Sequence, residues 1–206
     1  RSRGLGDVYK RQPLRLLKEA KTIIACDGAV KTLYEKGIHP DAIVGDLDSI
    51  PAGLRERYAD RIHHVEDQEI NDLTKSVRFA HTQGYREVLI LGATGLREDH
   101  TLGNISLLMD YAHLFKRVEM LSDYGLFTPI LETTTFASYP GQQISIFVLY
   151  PEGEISTEGL HWPIRRRKLT SWWQGTLNEA LGDQFTVTLS PDCRVIIYRE
   201  ASHTKE

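Results

Sequence analysis

The sequence predicts an α/β N-terminal domain with a mostly parallel sheet, followed by an all-β sandwich C-terminal domain. Two observations predict this. Between residues 22 and 121, short apolar runs alternate with helix-period segments, as in strands that pair in parallel through helical crossovers. After residue 124 the helical period is lost, and short β-branched and aromatic runs follow one another, broken by Pro and Gly, as in an antiparallel sandwich. The expected organisation is a leader at 1–12, an α/β domain at 13–123 and a β domain at 124–206.

Taken in order, "RSRGLGDVYKRQ" has neither apolar periodicity nor a helix cap and reads as a non-native leader. "TIIAC" (22–26) is a short strand, and "AVKTLYEKG" is a helix stopped by Gly37. "AIVG" (42–45) and "RIHHV" (61–65) are further strands. "DLTKSVRFAHTQG" (72–84) sets Leu73, Val77 and Ala80 on one helical face and ends at Gly84. "EVLIL" (87–91) is a fully apolar strand. "HTLGNISLLMDYAHLF" (100–115) carries Leu102, Ile105, Met109 and Ala112 at helical spacing, and "RVEML" (117–121) is a strand. Six short runs then form the β domain: "LFTPILE", "TTTFASY", "QQISIFVLY", "GEISTEG", "QFTVTLS" and "CRVIIYR".

Composition narrows the function. Of 206 residues, 41% are apolar and 26% charged, which suits a soluble globular chain. The net charge of −3 supplies no basic field, which argues against nucleic-acid binding. No run approaches the roughly 18 apolar residues of a membrane span. Cys26 and Cys193 are too far apart in the sequence to form a metal motif, and a reduced, cytoplasmic setting is the simplest expectation.

Four polar clusters stand out. In an open parallel sheet, ligands bind beyond the carboxyl ends of the strands, and "AIVGDLDS" places Asp46 and Asp48 at such an end. If the backbone stays extended, residues i and i+2 point the same way, so both carboxylates converge. A divalent cation would then relieve their repulsion. The same residues also suit a turn, with Asp48 and Ser49 capping the next segment. In "DQEINDLTK" (67–75), Asn71 or Asp72 opens a helix, and Lys75 reads as a surface partner of Asp72 or as part of the same rim. "GATGLREDHTLGN" (92–104) offers backbone N–H groups to a phosphate without the ending of a Walker loop. Within it Arg97 can clamp a phosphate, and Asp99 can cap a helix beginning at His100. Three acid-bearing loops are thus expected after three strands of one sheet. In "TSWWQGTLNEA" (170–180), two adjacent tryptophans on a strand would face opposite sides, leaving one ring free for a ligand. "RRRK" (165–168) reads as a solvated loop.

These motifs resemble the thiamine pyrophosphokinase family over roughly residues 22 to 198. "ACDGA" resembles its Asp-Gly-Gly-Ala stretch, and "PDAIVGDLDS" its Gly-Asp-Phe/Leu-Asp-Ser signature. "DQEINDLTK" is similar to its Asp-Gln…Asp…Lys segment, and "REDHTLGN" to its Arg-x-Asp-His-Thr-Leu-x-Asn element. "GLHW" and "GTLNE" fall where the family has thiamine-side motifs, and "WWQGTLNE" is similar to bacterial members of the Bacteroidetes type. The resemblance implies ATP-dependent pyrophosphate transfer to thiamine, releasing AMP. It implies Mg²⁺ held by Asp46, Asp48 and Asp72, and a transfer site lined by Gln68, Lys75, Arg97 and Asp99. Asp99 would accept the hydroxyl proton or only orient Arg97. Asp27 would lie on the nucleotide side, and Trp162, Trp173, Thr176 and Asn178 near thiamine. It also implies a homodimer with sites between subunits. Two departures are visible. Ala29, Val30 and Lys31 stand where the family shows Gly, Ala and Asn, and the leader stands where the family has a first strand and a glycine-bearing loop. If that strand is missing, the chain is expected to be poorly soluble or weak in ATP binding. The rival readings are a Mg²⁺-dependent phosphohydrolase and an inactive thiamine- or nucleotide-binding fragment.

Overall fold

A computed structural model describes residues 11–191 and 193–201, with side chains from residue 13 onward. The expected leader lies outside these residues except for the backbone of Arg11 and Gln12. The chain divides between Arg86 and Glu87 into two units.

The first unit is a parallel sheet with helices. Strands β1 (Ile24–Cys26), β2 (Ala42–Gly45) and β3 (Ile62–His64) pair in the order β1-β2-β3. Cys26 lies opposite Val44, and Gly45 opposite His64. Every residue of β2 is buried, as its run of apolar residues requires of the middle strand of a parallel sheet. A helix not foreseen from the sequence, α1 (Arg11–Glu19), comes first. Its Leu14 and Leu17 pack on a core of Ala25, Val30, Leu33, Ile43, Leu47 and Tyr58. Helices α2 (Val30–Glu35) and α3 (Ala52–Arg57) follow β1 and β2. Helix α4 (Asp72–Thr82) packs on β1 and β2. Val77 and Ala80 are buried as expected, but so are the polar residues Thr74, Lys75 and Ser76.

The second unit opens with β4 (Glu87–Leu91), α5 (Glu98–Tyr111) and β5 (Arg117–Leu121), a parallel crossover. It continues with β6 (Gly125–Ile130), β7 (Thr134–Ala137), β8 (Gln143–Tyr150), β9 (Ile155–Glu158), β10 (Asn178–Glu179), β11 (Gln184–Leu189) and β12 (Arg194–Glu200). One sheet has the order β10-β8-β12-β6-β5-β4 and a second the order β7-β11-β9. Apart from the β4–β5 pair, all their ladders are antiparallel. Ile144, Ile146, Val195 and Ile197 of the first sheet share one core with Phe136, Phe185 and Val187 of the second.

Three expectations need correction. Strand β4 pairs with β5 in the six-stranded sheet and not with β1–β3, so the three acid-bearing loops do not follow strands of one sheet. A turn at Ser122–Gly125 follows β5: the Ser122 hydroxyl accepts the N–H groups of Tyr124 and Gly125 and donates to the Gly125 carbonyl. The turn carries β5 into antiparallel β6, where Met120 lies opposite Phe127 and Leu121 opposite Leu126. Leu102 is half exposed, because α5 packs on β5, β6 and β12 through its later turns, where Leu108, Met109 and Tyr111 are buried. Trp172 and Trp173 lie in a 3-10 turn (Trp172–Gly175), not on a strand. Gln174 closes that turn by accepting the N–H groups of Thr170 and Ser171.

Candidate active site

Parallel neighbours in register deliver their next residues to the same rim. Asp27 follows β1, Asp46 follows β2, and Asp72 opens α4, which lies across both strands. The cap of α4 is Asn71, whose side-chain oxygen accepts the Thr74 N–H at 2.9 Å. That leaves the Asp72 carboxylate free to face the strands. One oxygen from each of Asp27, Asp46 and Asp72 lies within 4.8 Å of the others. The sequence reading sets Asp27 on the nucleotide side of this rim and does not count it among the metal ligands; the signal for its place in the trio is an acid ending each of two adjacent parallel strands.

Asp27 is 1% exposed and is held from both sides. Its Oδ1 accepts the Gly28 N–H at 2.6 Å and its Oδ2 the Leu47 N–H at 3.0 Å. Burial, reinforced by the charge of Asp72, raises its pKa against the pull of the Gly28 and Ser49 N–H groups. Asp46 is shifted the other way, chiefly by the Asp48 N–H, with help from Gln68 and Lys75. The Asp27 carboxyl lies flat against Gly45: a Cβ there would stand 2.8 Å from its Cγ. Because both Asp27 oxygens are fixed, the clash cannot relax freely. Gly45→Ala is expected to cost about 1–3 kcal/mol of stability by overpacking and to weaken Mn²⁺ binding, checked by thermal melts with and without the ion.

Asp48 stands apart from this trio. The backbone does not stay extended after Asp46: Leu47 has φ 73°, a left-handed conformation costing roughly 1–2 kcal/mol for a residue with a Cβ. Burying the Leu47 side chain in the core offsets that cost. The turn carries Asp48 outward, where it is exposed and its N–H donates to Asp46 Oδ1 at 3.3 Å. The turn and the strand-end carboxylate, read from the sequence as alternatives, are thus both present, but Asp48 and Ser49 do not cap the next helix, whose cap position is Pro51 with no side-chain cap bond.

Lys75 is not a surface partner. Its side chain is 2% exposed, with Nζ 3.0 Å from Asp72 Oδ1 and 3.6 Å from Asp46 Oδ2. Burial alone would lower its pKa, but the hydrogen bond to Asp72 and the two carboxylate charges outweigh it and hold the ammonium above the ordinary value. Gln68 Nε2 donates to Asp46 Oδ2 at 3.4 Å.

In the second unit, the glycine loop after β4 is tied by Asn104, whose Nδ2 donates to the Ala93 carbonyl at 2.9 Å. Helix α5 starts at Glu98, with Arg97 in the cap position, so Asp99 lies inside the first turn and is not the cap. Both Asp99 oxygens accept from the Arg97 guanidinium, from Nε at 3.1 Å and from Nη2. This fork, with the His100 N–H, lowers the Asp99 pKa. Trp162, Trp172 and Trp173 are all exposed, Trp172 the least, with its ring edge-on against Phe147. Asn178 is buried; its Oδ1 accepts the Trp162 N–H and its Nδ2 donates to the Trp162 carbonyl. The Thr176 hydroxyl donates to the Trp173 carbonyl. The side chains of Thr176 and Asn178 therefore hold the backbone of Trp173 and Trp162.

A carboxylate trio with a buried lysine, at the rim of a parallel sheet, is the donor set that proteins handling cations and phosphorylated ligands use. Residues 14–120 match the family model "Thiamin pyrophosphokinase, catalytic domain" and residues 125–198 match "Thiamin pyrophosphokinase, substrate-binding domain". The chain belongs to the thiamin pyrophosphokinase family. It is 29% identical over 174 residues to Thiamine pyrophosphokinase 1 of Oryza sativa subsp. japonica, covering 76% of this chain and 64% of that relative. Thiamine pyrophosphokinase 3 of the same plant is 29% identical over 216 residues, covering 88% and 79%. The crystal structure of thiamin pyrophosphokinase from Geobacillus thermodenitrificans superposes with a TM-score of 0.76 at 23% identity, covering 93% of this chain and 92% of that one, and shows the shared fold. The matched catalytic part contains every acid of the trio with Lys75, Arg97 and Asp99, and the matched substrate-binding part contains Trp162, Trp173, Thr176 and Asn178. No helix among the described residues is long and apolar enough to cross a membrane.

Proposed function

We propose that the protein is a thiamine diphosphokinase that transfers pyrophosphate from ATP to the hydroxyl of thiamine. The observation that carries this reading is the pair of family matches, with the trio and Lys75 inside the catalytic one. The hydroxyl oxygen bonds to the β-phosphorus, the bond from that phosphorus to the α–β bridging oxygen breaks, AMP leaves with the bridging oxygen, and the hydroxyl proton is released.

The trio suits Mg²⁺, a hard ion that takes carboxylate oxygens and substrate phosphates. Asp27, Asp46 and Asp72 would hold it, with Asp48 reaching it only from outside the trio, through water or substrate. When bound, the ion would neutralise charge on the transferring group. Gln68 orients Asp46 by its hydrogen bond. Lys75 and Arg97 supply positive charge to phosphate oxygens. Asp99, paired with Arg97 and shifted downward, is suited to fixing that guanidinium rather than to taking a proton. Trp162 and Trp173 offer ring faces to thiamine, on backbone held by Asn178 and Thr176. The two sheets of the second unit share one core, which supports the sandwich reading of the β domain. That domain would also supply the homodimer contact, and the two free cysteines accord with a cytoplasmic setting.

Incubating the protein with ATP, Mg²⁺ and thiamine is expected to yield AMP and thiamine pyrophosphate in equal amounts. Formation of ADP and thiamine monophosphate would refute attack at the β-phosphorus. Release of inorganic phosphate without thiamine would favour the phosphohydrolase reading.

A further inference from the structure

The Lys75 ammonium is seated on two of the carboxylates that a divalent ion would use. Nζ is 3.0 Å from Asp72 Oδ1 and 3.6 Å from Asp46 Oδ2, and both acids belong to the trio. The lysine cannot swing into solvent at little cost. Its side chain is 2% exposed, and Thr74, Ser76 and Val77 beside it on α4 are buried. The helix is also pinned to β1, with Ser76 Oγ 3.3 Å from Cys26 Sγ. A Mg²⁺ ion binds oxygen at about 2.0–2.1 Å. An ion on these carboxylates would lie within a few ångströms of a buried ammonium, where repulsion between cations is weakly screened.

Building on the metal site proposed above, we propose that Lys75 is an internal counter-cation that keeps divalent-ion affinity low until nucleotide phosphate arrives. A phosphate oxygen at the rim offers the ammonium a second anion, draws it from Asp72 and Asp46, and leaves those carboxylates to the ion. Metal and nucleotide thereby promote each other's binding, a coupling that is reciprocal by linkage. The lysine also pairs two of the three carboxylates, Asp46 and Asp72, when no ion is bound.

The test is calorimetric titration of the nucleotide-free protein with Mn²⁺ alone, comparing the native chain with Lys75→Met and Lys75→Gln. Circular dichroism melts identify which variants are folded. Removing a competing cation is expected to tighten Mn²⁺ binding by at least about tenfold. The further gain on adding α,β-methylene-ATP, whose α–β link cannot be broken, should shrink in the variants. Mn²⁺ binding equal to or weaker than native in both folded variants overturns the proposal. Asp72→Asn, titrated in parallel, separates the two layers. If it weakens Mn²⁺ binding while the Lys75 variants do not tighten it, only the role of Lys75 falls. If it leaves Mn²⁺ binding unchanged, the carboxylate site falls and the role of Lys75 with it.

Discussion

Asp46→Asn is expected to reduce pyrophosphate transfer by about 10²-fold or more while moving the melting temperature by only a few degrees. The substitution keeps the shape of the side chain and removes one charge from the trio. Asp46 sits at the open end of β2, half-buried, and takes no part in the core beneath it. Its contacts include the Asp48 N–H, Gln68 and Lys75, and an amide oxygen can still accept two of these. The change therefore falls on charge and not on packing. Steady-state AMP production with and without excess Mg²⁺, set beside a thermal melt, measures both parts. A fully active variant would reduce the Asp46–Asp48 stretch to a turn.

Much of this site is legible in the sequence because strand ends are legible. An apolar run closed by an acid, as in "IACD" and "AIVGD", marks a carboxylate at the rim of a buried strand, and both are found there. The direction of the next side chain is less legible. The i, i+2 rule needs extended backbone, and nothing in the letters around Leu47 announces a left-handed residue; its burial supplies the reason only once the core is known. Lys75 shows the same limit. A lysine three residues after an aspartate has the same spacing on a wet helix face as over a buried rim, and only the packing of α4 on β1 and β2 decides between them. Sheet membership is weaker still. The strand 87–91 has the right character, but period and composition do not name its neighbour, which is the 117–121 strand of the six-stranded sheet. The paired tryptophans mislead for a local reason, since Gln174 closes a 3-10 turn where a strand is expected.

Glu119→Ala is expected to give the largest loss of stability, about 3–5 kcal/mol, the usual cost of removing one partner from a buried ion network. Glu119 lies on β5 with its side chain 8% exposed. Its Oε2 accepts a fork from Arg117, from Nε at 2.9 Å and Nη2 at 2.7 Å. Its Oε1 accepts the Thr128 hydroxyl at 2.8 Å and lies 3.4 Å from Arg199 Nη2. The carboxylate thus ties together β5, β6 and β12, three neighbours in the six-stranded sheet. Arg117 is largely exposed and can turn to water when Glu119 is lost, but Arg199, with its side chain 18% exposed, cannot do so readily. Burial already lowers the Arg199 pKa against the opposing pull of Glu119. Its Nε has no hydrogen-bond partner among the described residues. Its guanidinium stacks 4.7 Å from the Phe136 ring centroid, a contact that helps only while the charge is tolerated. Removing the carboxylate therefore strands a half-desolvated cation against an apolar core. The same reasoning expects the double variant Glu119→Leu/Arg199→Met to recover most of the loss, since a buried ion pair exchanged for apolar groups of similar volume is often neutral or better. Urea unfolding midpoints of the native chain, both single variants and the double variant give the coupling between the two residues. A Glu119→Ala loss below about 1 kcal/mol, the scale of an exposed pair, would show that water reaches this network and that it does not hold the three strands together.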